Sequence, residues 1–224
     1  MKKSETNVTK IVESYLEEHP VLMDVIQRGI VNYSALAREI IEEEEKRGNE
    51  LSLGAVKMAL LRITQEKKSG KEHMEKKLKK IIGESVIQLQ SDLAMITIER
   101  GKIIGRMKEL SNLMEDARFF ELTQGVDIFN VLVSREKLRD VIKILGKENI
   151  LELMEGQTAI ILTSPEENVK TPGFIYLLTS VLSYGGINIT EIISCHKDTI
   201  FVFDRKDAIR AYGILENFIL RMRE

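Results

Sequence analysis

Apolar residues recur in two rhythms along this chain, and the change from one to the other divides it. Val8, Ile11, Val12, Tyr15 and Leu16 return every three or four residues, the stripe of an amphipathic helix that His19-Pro20 ends. A second short helix fits Val21 to Arg28, because Pro20 suits a first helical turn and Gly29 an exit. "YSALAREIIEEEEKR" turns Leu36, Ala37, Ile40 and Ile41 inward, with Ser34 as its cap, and a fourth helix from Ser52 keeps Leu53, Val56, Leu60 and Ile63 on one side. The Lys-rich "QEKKSGKEHMEKKLKKIIGE" breaks at Ser69-Gly70 and then returns Met74, Leu78, Ile81 and Ile82 to a helical stripe, which predicts a connector helix with a solvated lysine face.

Beyond the connector, strand-like runs alternate with helices, and the chain repeats itself. With a shift of 70 residues, "ARFFELTQ" (117–124) falls on "INITEIIS" (187–194), matching Glu121 to Glu191, and "VLVSREKLRDVIKIL" (131–145) falls on "FVFDRKDAIRAYGIL" (201–215). Each copy reads strand ("LAMITIE", "TAIILTS"), helix, strand, strand, helix, the order of a ferredoxin-like unit short of one strand. "SVIQLQ" (85–90) and "ILELMEG" (150–156) are the segments left to complete the sheets, so the copies are expected to interlock as one rigid body. The second copy alone carries an extra loop, "SPEENVKTPG", before its first helix, where the first has "RGK". The expected class is α+β: a helical domain over 1–68, a connector over 69–84, and two βαββαβ units over 85–155 and 156–224.

The stretch "TPGFIYLLTSVLSYGGINI" (171–189) places glycine at both ends of one helix. Phe174, Leu177, Leu178, Val181 and Leu182 form its apolar stripe, Thr171 its expected cap and Pro172 its first helical residue. Gly173 then leaves the first turn's N–H groups without a side chain in front of them, which suits a carboxylate or phosphate. At the far end Gly185 or Gly186 is expected to take a positive φ and turn the chain into a strand in which Ile187, Ile189 and Ile192 pack while Asn188, Thr190 and Glu191 present polar groups.

Composition narrows the chemistry. Thirty-three basic and 35 acidic residues leave a formal charge of -2, so contact with nucleic acid or membrane requires a local patch. A single cysteine excludes an intrachain disulfide, and with no signal-peptide-like or spanning stretch the expectation is a cytoplasmic protein. Cys195-His196 reads as a hairpin turn, because adjacent side chains on a strand point apart; His19 and His73 have no partner at i+4. No catalytic group, metal site or cofactor motif emerges, and the protein is expected not to be an enzyme.

The N-terminal helices resemble the helix-turn-helix class of DNA readers, with "YSALAREI" before the turn and a mixed-charge helix after it. The resemblance implies Ser52, Lys57 and Arg62 as the residues able to reach bases or phosphates. The intervening "EEEEKRGNE" is longer and more acidic than such a turn, and a helical bundle that contacts protein is the alternative.

"TPGFIYLLTSVLSYGGINITEI", followed by "TIFVFDRKDAIRAYGIL", resembles the ACT domain, a small βαββαβ module that binds amino acids and regulates metabolic enzymes. The pair from about Ser85 onward is similar to the C-terminal regulatory pair of aspartate kinases, whose kinase half is absent here. The resemblance implies a small amino acid held by Thr171, Pro172, Gly173 and Phe174 together with Ile187, Asn188 and Ile189, with Glu99 taking the ammonium. In the first copy "ERGKIIG" and "DARFFEL" depart from that pattern. The resemblance further implies a homodimer through ACT units. The functions that follow are an amino-acid-responsive transcription regulator, a regulatory subunit of a biosynthetic enzyme, or a ligand-free dimerisation module.

Overall fold

The computed structural model of the chain describes residues 2–67 and 71–224. The Ser69-Gly70 break, and with it the expected boundary after residue 68, lie outside the described residues. The chain divides into two compact units, 1–75 and 76–224.

Among the described residues, the N-terminal unit holds four whole helices: α1 (Lys2–Glu18), α2 (Pro20–Gln27), α3 (Tyr33–Lys46) and α4 (Leu53–Lys67). Val12, Tyr15 and Leu16 of α1, Ile26 of α2, Ala37 and Ile40 of α3, and Val56, Leu60 and Ile63 of α4 form one buried core, the stripes that the spacing demands. The cap of α3 is Asn32, not Ser34: Asn32 Oδ1 accepts from the Ser34 and Ala35 amides at 3.0 and 3.1 Å. The four consecutive glutamates are the end of α3 and not a loop, because Arg47 at its C-cap binds Glu18, Glu43 and Glu44 together. Glu44 is buried, and its second oxygen accepts from Asn49 Nδ2 at 2.7 Å.

The C-terminal unit begins inside α5 (Lys71–Gly83). Leu78, Ile81 and Ile82 of α5 are buried in its core, so the expected connector is in its second half part of the body. A six-stranded antiparallel sheet follows, built from β1 (Val86–Glu99), β2 (Phe120–Gln124), β3 (Ile128–Ser134), β4 (Ile150–Thr163), β5 (Glu191–Cys195) and β6 (Asp198–Asp204). Their order, β2-β3-β1-β4-β6-β5, reads alike from both ends. The helices are α6 (Arg100–Ile103), α7 (Met107–Asp116), α8 (Leu138–Leu145), α9 (Phe174–Tyr184) and α10 (Arg205–Arg223).

The symmetry centres on β1 and β4, which pair along their whole lengths with Val86 opposite Thr163 and Ile98 opposite Ile150. Segments 85–90 and 150–156 are therefore mainly the outer ends of two long strands, each lying beside the other copy. Both strands bulge at mid-length, at Ser91-Asp92 on β1 and at Gly156 on β4, where φ is +60° at Asp92 and +71° at Gly156. A bulge sharpens twist, and here the sheet curls until its helix-free faces meet: Leu93, Met95 and Leu132 pack with Ala159, Ile200 and Val202. The outer faces carry the helices, α7 and α8 over Ala94, Ile96 and Val131, and α5, α9 and α10 over Ile160, Phe201 and Phe203.

Candidate functional site

A cavity of about 380 Å³ opens at the turn that leads into α9. The sequence builds it by three local choices. Pro165 starts a 3-10 turn over Glu166–Lys170, in which the Asn168 amide donates to Pro165 O and the Thr171 amide to Asn168 O. Pro172-Gly173 then turns the chain into α9, with Gly173 at φ +90° as the residue before the helix. A side chain there would sit in a disfavoured conformation and its Cβ would come to 3.3 Å of Leu78 Cδ1 on α5. No side chain caps α9, which leaves its first N–H groups without a capping partner, and its first residues, Phe174, Ile175 and Tyr176, line the cavity.

Thr171, Pro172, Gly173 and Phe174 all border this cavity, as the resemblance implied. Their roles differ from expectation. Thr171 is not the cap, because its Oγ1 donates back to Glu167 O at 2.6 Å, and Pro172 lies outside the helix, because Gly173 breaks the helical conformation between it and Phe174. The Phe174 ring is spent in the core, 3% exposed.

The second half of the expected site does not join it within one chain. Ile187, Asn188 and Ile189 follow the opposite end of α9, whose eleven residues span about 16 Å. Ile187 and Ile189 pack in the core, Asn188 is exposed, and β5 begins only at Glu191. Of the two glycines there, Gly186 takes the positive φ, +67°, while Gly185 lies against Ile214 of α10. Glu99 is also remote: it ends β1 opposite Ile128, whereas Thr163, the strand end nearest the cavity loop, lies opposite Val86 at the other end. About 40 Å of strand separates them, at roughly 3.3 Å per residue.

In their place stand residues that the residue-by-residue reading missed. Asn168 lines the cavity and is 8% exposed; its Nδ2 donates to Ser164 Oγ at 2.8 Å, and its Oδ1 is buried without a partner. Thr199, Ser194 and His196 close the opposite wall from β6, β5 and the turn between them. The sequence did hold one signal for Asn168, since "SPEENVKTPG" is the loop that only the second copy possesses. Cys195 is free and exposed, and His196 occupies the β5–β6 turn with φ +55°. Among the described residues no three His, Cys, Asp or Glu side chains are grouped to hold a metal, and no helix is long and apolar enough to cross a membrane.

In the N-terminal unit, Ser52 Oγ accepts from the Ala55 amide at 3.3 Å and so caps α4. Lys57 is half-buried, and Arg62 donates to Thr9 Oγ1 on α1. The open side of α4 also exposes Leu53, Met58 and Leu61, alongside Arg62, Gln65 and Glu66.

No family model matches the chain, and no curated protein matches it. Solved structures do. The aspartate kinase of Clostridium acetobutylicum, described as an allosteric enzyme, matches with a TM-score of 0.51 and 18% identity over 60% of this chain and 34% of that one. The aspartate kinase of Synechocystis matches with a TM-score of 0.50 and 16% identity over 61% and 27%. The ligand-free regulatory subunit of the Thermus thermophilus aspartate kinase gives 0.49 and 15% over 58% and 94%. The chain thus spans about a third of the length of the first of these enzymes. At such identities the likeness is one of fold, and the fold is ACT-like, a mixed helix and antiparallel-sheet body of the kind found in aspartate kinases.

Proposed function

We propose that this protein is an amino-acid-sensing regulatory protein whose ligand enters the cavity before α9. One observation carries the reading: the start of α9, which no side chain caps, and Asn168, whose Oδ1 is buried without a partner, line the same cavity. The amides at that start suit a carboxylate, and Asn168 Oδ1 suits an ammonium, so the pair complements a zwitterion. Asn168 takes the role expected of Glu99. Val169, Pro172 and Tyr176 leave room for a small, partly apolar side chain. The resemblance to ACT pairs supports a homodimer, in which the exposed Asn188 of a second copy is free to approach.

Signal leaves the site through α5. Leu78 touches the Gly173 turn, and α5 leads back toward Lys71 and the N-terminal unit, so ligand that tightens the turn biases the position of α5. The exposed Leu53, Met58 and Leu61 of α4 favour a protein as the recipient, making the chain a regulatory subunit. The transcription-regulator reading rests on Ser52, Lys57 and Arg62, of which two are engaged within the unit.

A thermal-shift screen with the twenty amino acids tests the sensor. Ligand at a hundred times its dissociation constant stabilises by about 2.7 kcal/mol, and Asn168→Ala removes the shift. No shift with any amino acid refutes the reading. Retention on DNA that weakens steeply with salt would return the output to transcription.

A further inference from the structure

Glu121 on β2 and Glu191 on β5 occupy equivalent places in the two copies, opposite Leu132 and Val202 respectively. Their strands are the two ends of the sheet order, as far apart in that order as strands can be. The curl at the bulges nevertheless brings them together, because Thr123 Oγ1 on β2 donates to Glu191 Oε1 on β5 at 2.7 Å. Asn130 Nδ2 on β3 reaches the same oxygen at 3.3 Å, and Asn130 Oδ1 is itself held by Thr97 Oγ1 of β1 at 2.9 Å. This row of neutral donors orients one oxygen of Glu191. The other, Oε2, is buried and has no partner.

We propose that Glu121 and Glu191 form a proton-held latch between the two free edges of the sheet. With one proton on the pair, Glu121 donates to Glu191 Oε2 and the edges are joined. With both carboxylates ionised, like charges stand together between half-buried positions of the two edges, and β2 and β5 part. The proton comes from solvent and returns to it.

From β3 and β1 come the uncharged Asn130 and Thr97, from β6 the apolar Val202, and on β4 the carboxylate of Glu152 is exposed opposite Thr97. Burial first, and then the charge of Glu191, raise the pKa of Glu121 above the ordinary glutamate value. The folded state therefore holds its proton to higher pH than the unfolded state does. Stability from this group is present below the unfolded value and is lost as the pH rises through the folded one.

The latch is tested on the full chain with Cys195→Ser and nitroxide labels at Val126→Cys and Lys197→Cys, at the exposed turns beside β2 and β5. The distance distribution between the labels should be narrow at a pH below the ordinary glutamate value of 4.5 and longer or broader at a pH well above it. Glu121→Gln, whose amide donates at any pH, should remain narrow throughout. In parallel, a carbon-13 titration of the glutamate carboxyls should place Glu121 above the exposed glutamates in the unsubstituted protein and return it toward them in Glu191→Gln. Identical distributions at both pH values overturn the proposal, as does a Glu121 that titrates with the exposed glutamates. Should Glu121→Gln fail to fold, those two measurements on the unsubstituted glutamates still decide.

Discussion

Gly173→Ala puts the turn at the mouth of the cavity to the test. At φ +90° a residue with a Cβ pays the left-handed penalty, about 1–2 kcal/mol. The new methyl would also stand 3.3 Å from Leu78 Cδ1, closer than comfortable contact, and Leu78 is only 7% exposed, so the core beneath must give; crowding of this kind costs about 1 kcal/mol. Together these remove roughly 2–3 kcal/mol from the unit of residues 76–224, which at about 2–4 °C per kcal/mol lowers its melting temperature by roughly 4–12 °C. Calorimetry of the full chain reads the change. Gly54→Ala is the control: Gly54 lies in α4 with open space around its Cβ position, and the same methyl should stabilise by about 0.5–1 kcal/mol. A Gly173→Ala protein that melts at or above the wild type would refute the turn geometry and the contact with α5.

Two further outcomes follow from groups away from the cavity. Arg223 Nε donates to Gly83 O at 2.8 Å and Nη2 to Ser85 O at 3.1 Å, tying the end of α10 to the start of β1; Arg223→Ala should cost about 1.5–3 kcal/mol in denaturant unfolding, and Arg223→Lys should restore less than half. A loss below about 0.5 kcal/mol would mean the tie is loose. Burial, then the charges of Glu39 and Glu43, push the Tyr15 hydroxyl up to about 12. Its folded pKa exceeds the unfolded one, so stability falls as the pH rises from about 10 toward about 12, and Tyr15→Phe should abolish that fall. Absorbance of ionised tyrosine below pH ~11 should be unchanged in that variant; a decrease there would contradict the burial.

Much of this was legible as spacing. The stripe Val12, Tyr15, Leu16 and the alternation of Ile160 and Leu162 with Ala159 and Ile161 need no partner to be read, because period follows from backbone geometry. The repeat gave the matching of Glu121 to Glu191, and the two segments left over took their places at the sheet centre. Local chemistry was harder to rank. Ser34 and Asn32 both suit a cap, and only the observed hydrogen bonds select Asn32. At Thr171-Pro172 a proline could begin a helix or a turn, and the left-handed Gly173 makes it a turn.

The candidate site shows where linear reasoning ends. Gly173 and Asn188 stand close in sequence, but the intervening helix carries them apart, while Asn168, Ser194 and Thr199 converge from three elements. Matching Glu121 to Glu191 as a repeat likewise said nothing of the hydrogen bond from Thr123 on β2 to Glu191 on β5. The amino-acid order alone determined which residues form helices and strands, that the second half is built twice, and that one loop is enlarged. The tertiary structure alone decided that two bulges curl the sheet, that its edge strands meet, and which side chains share a cavity. Periodicity is a property of neighbouring residues, whereas these contacts depend on small twists summed along two long strands, and no short stretch of sequence contains that sum.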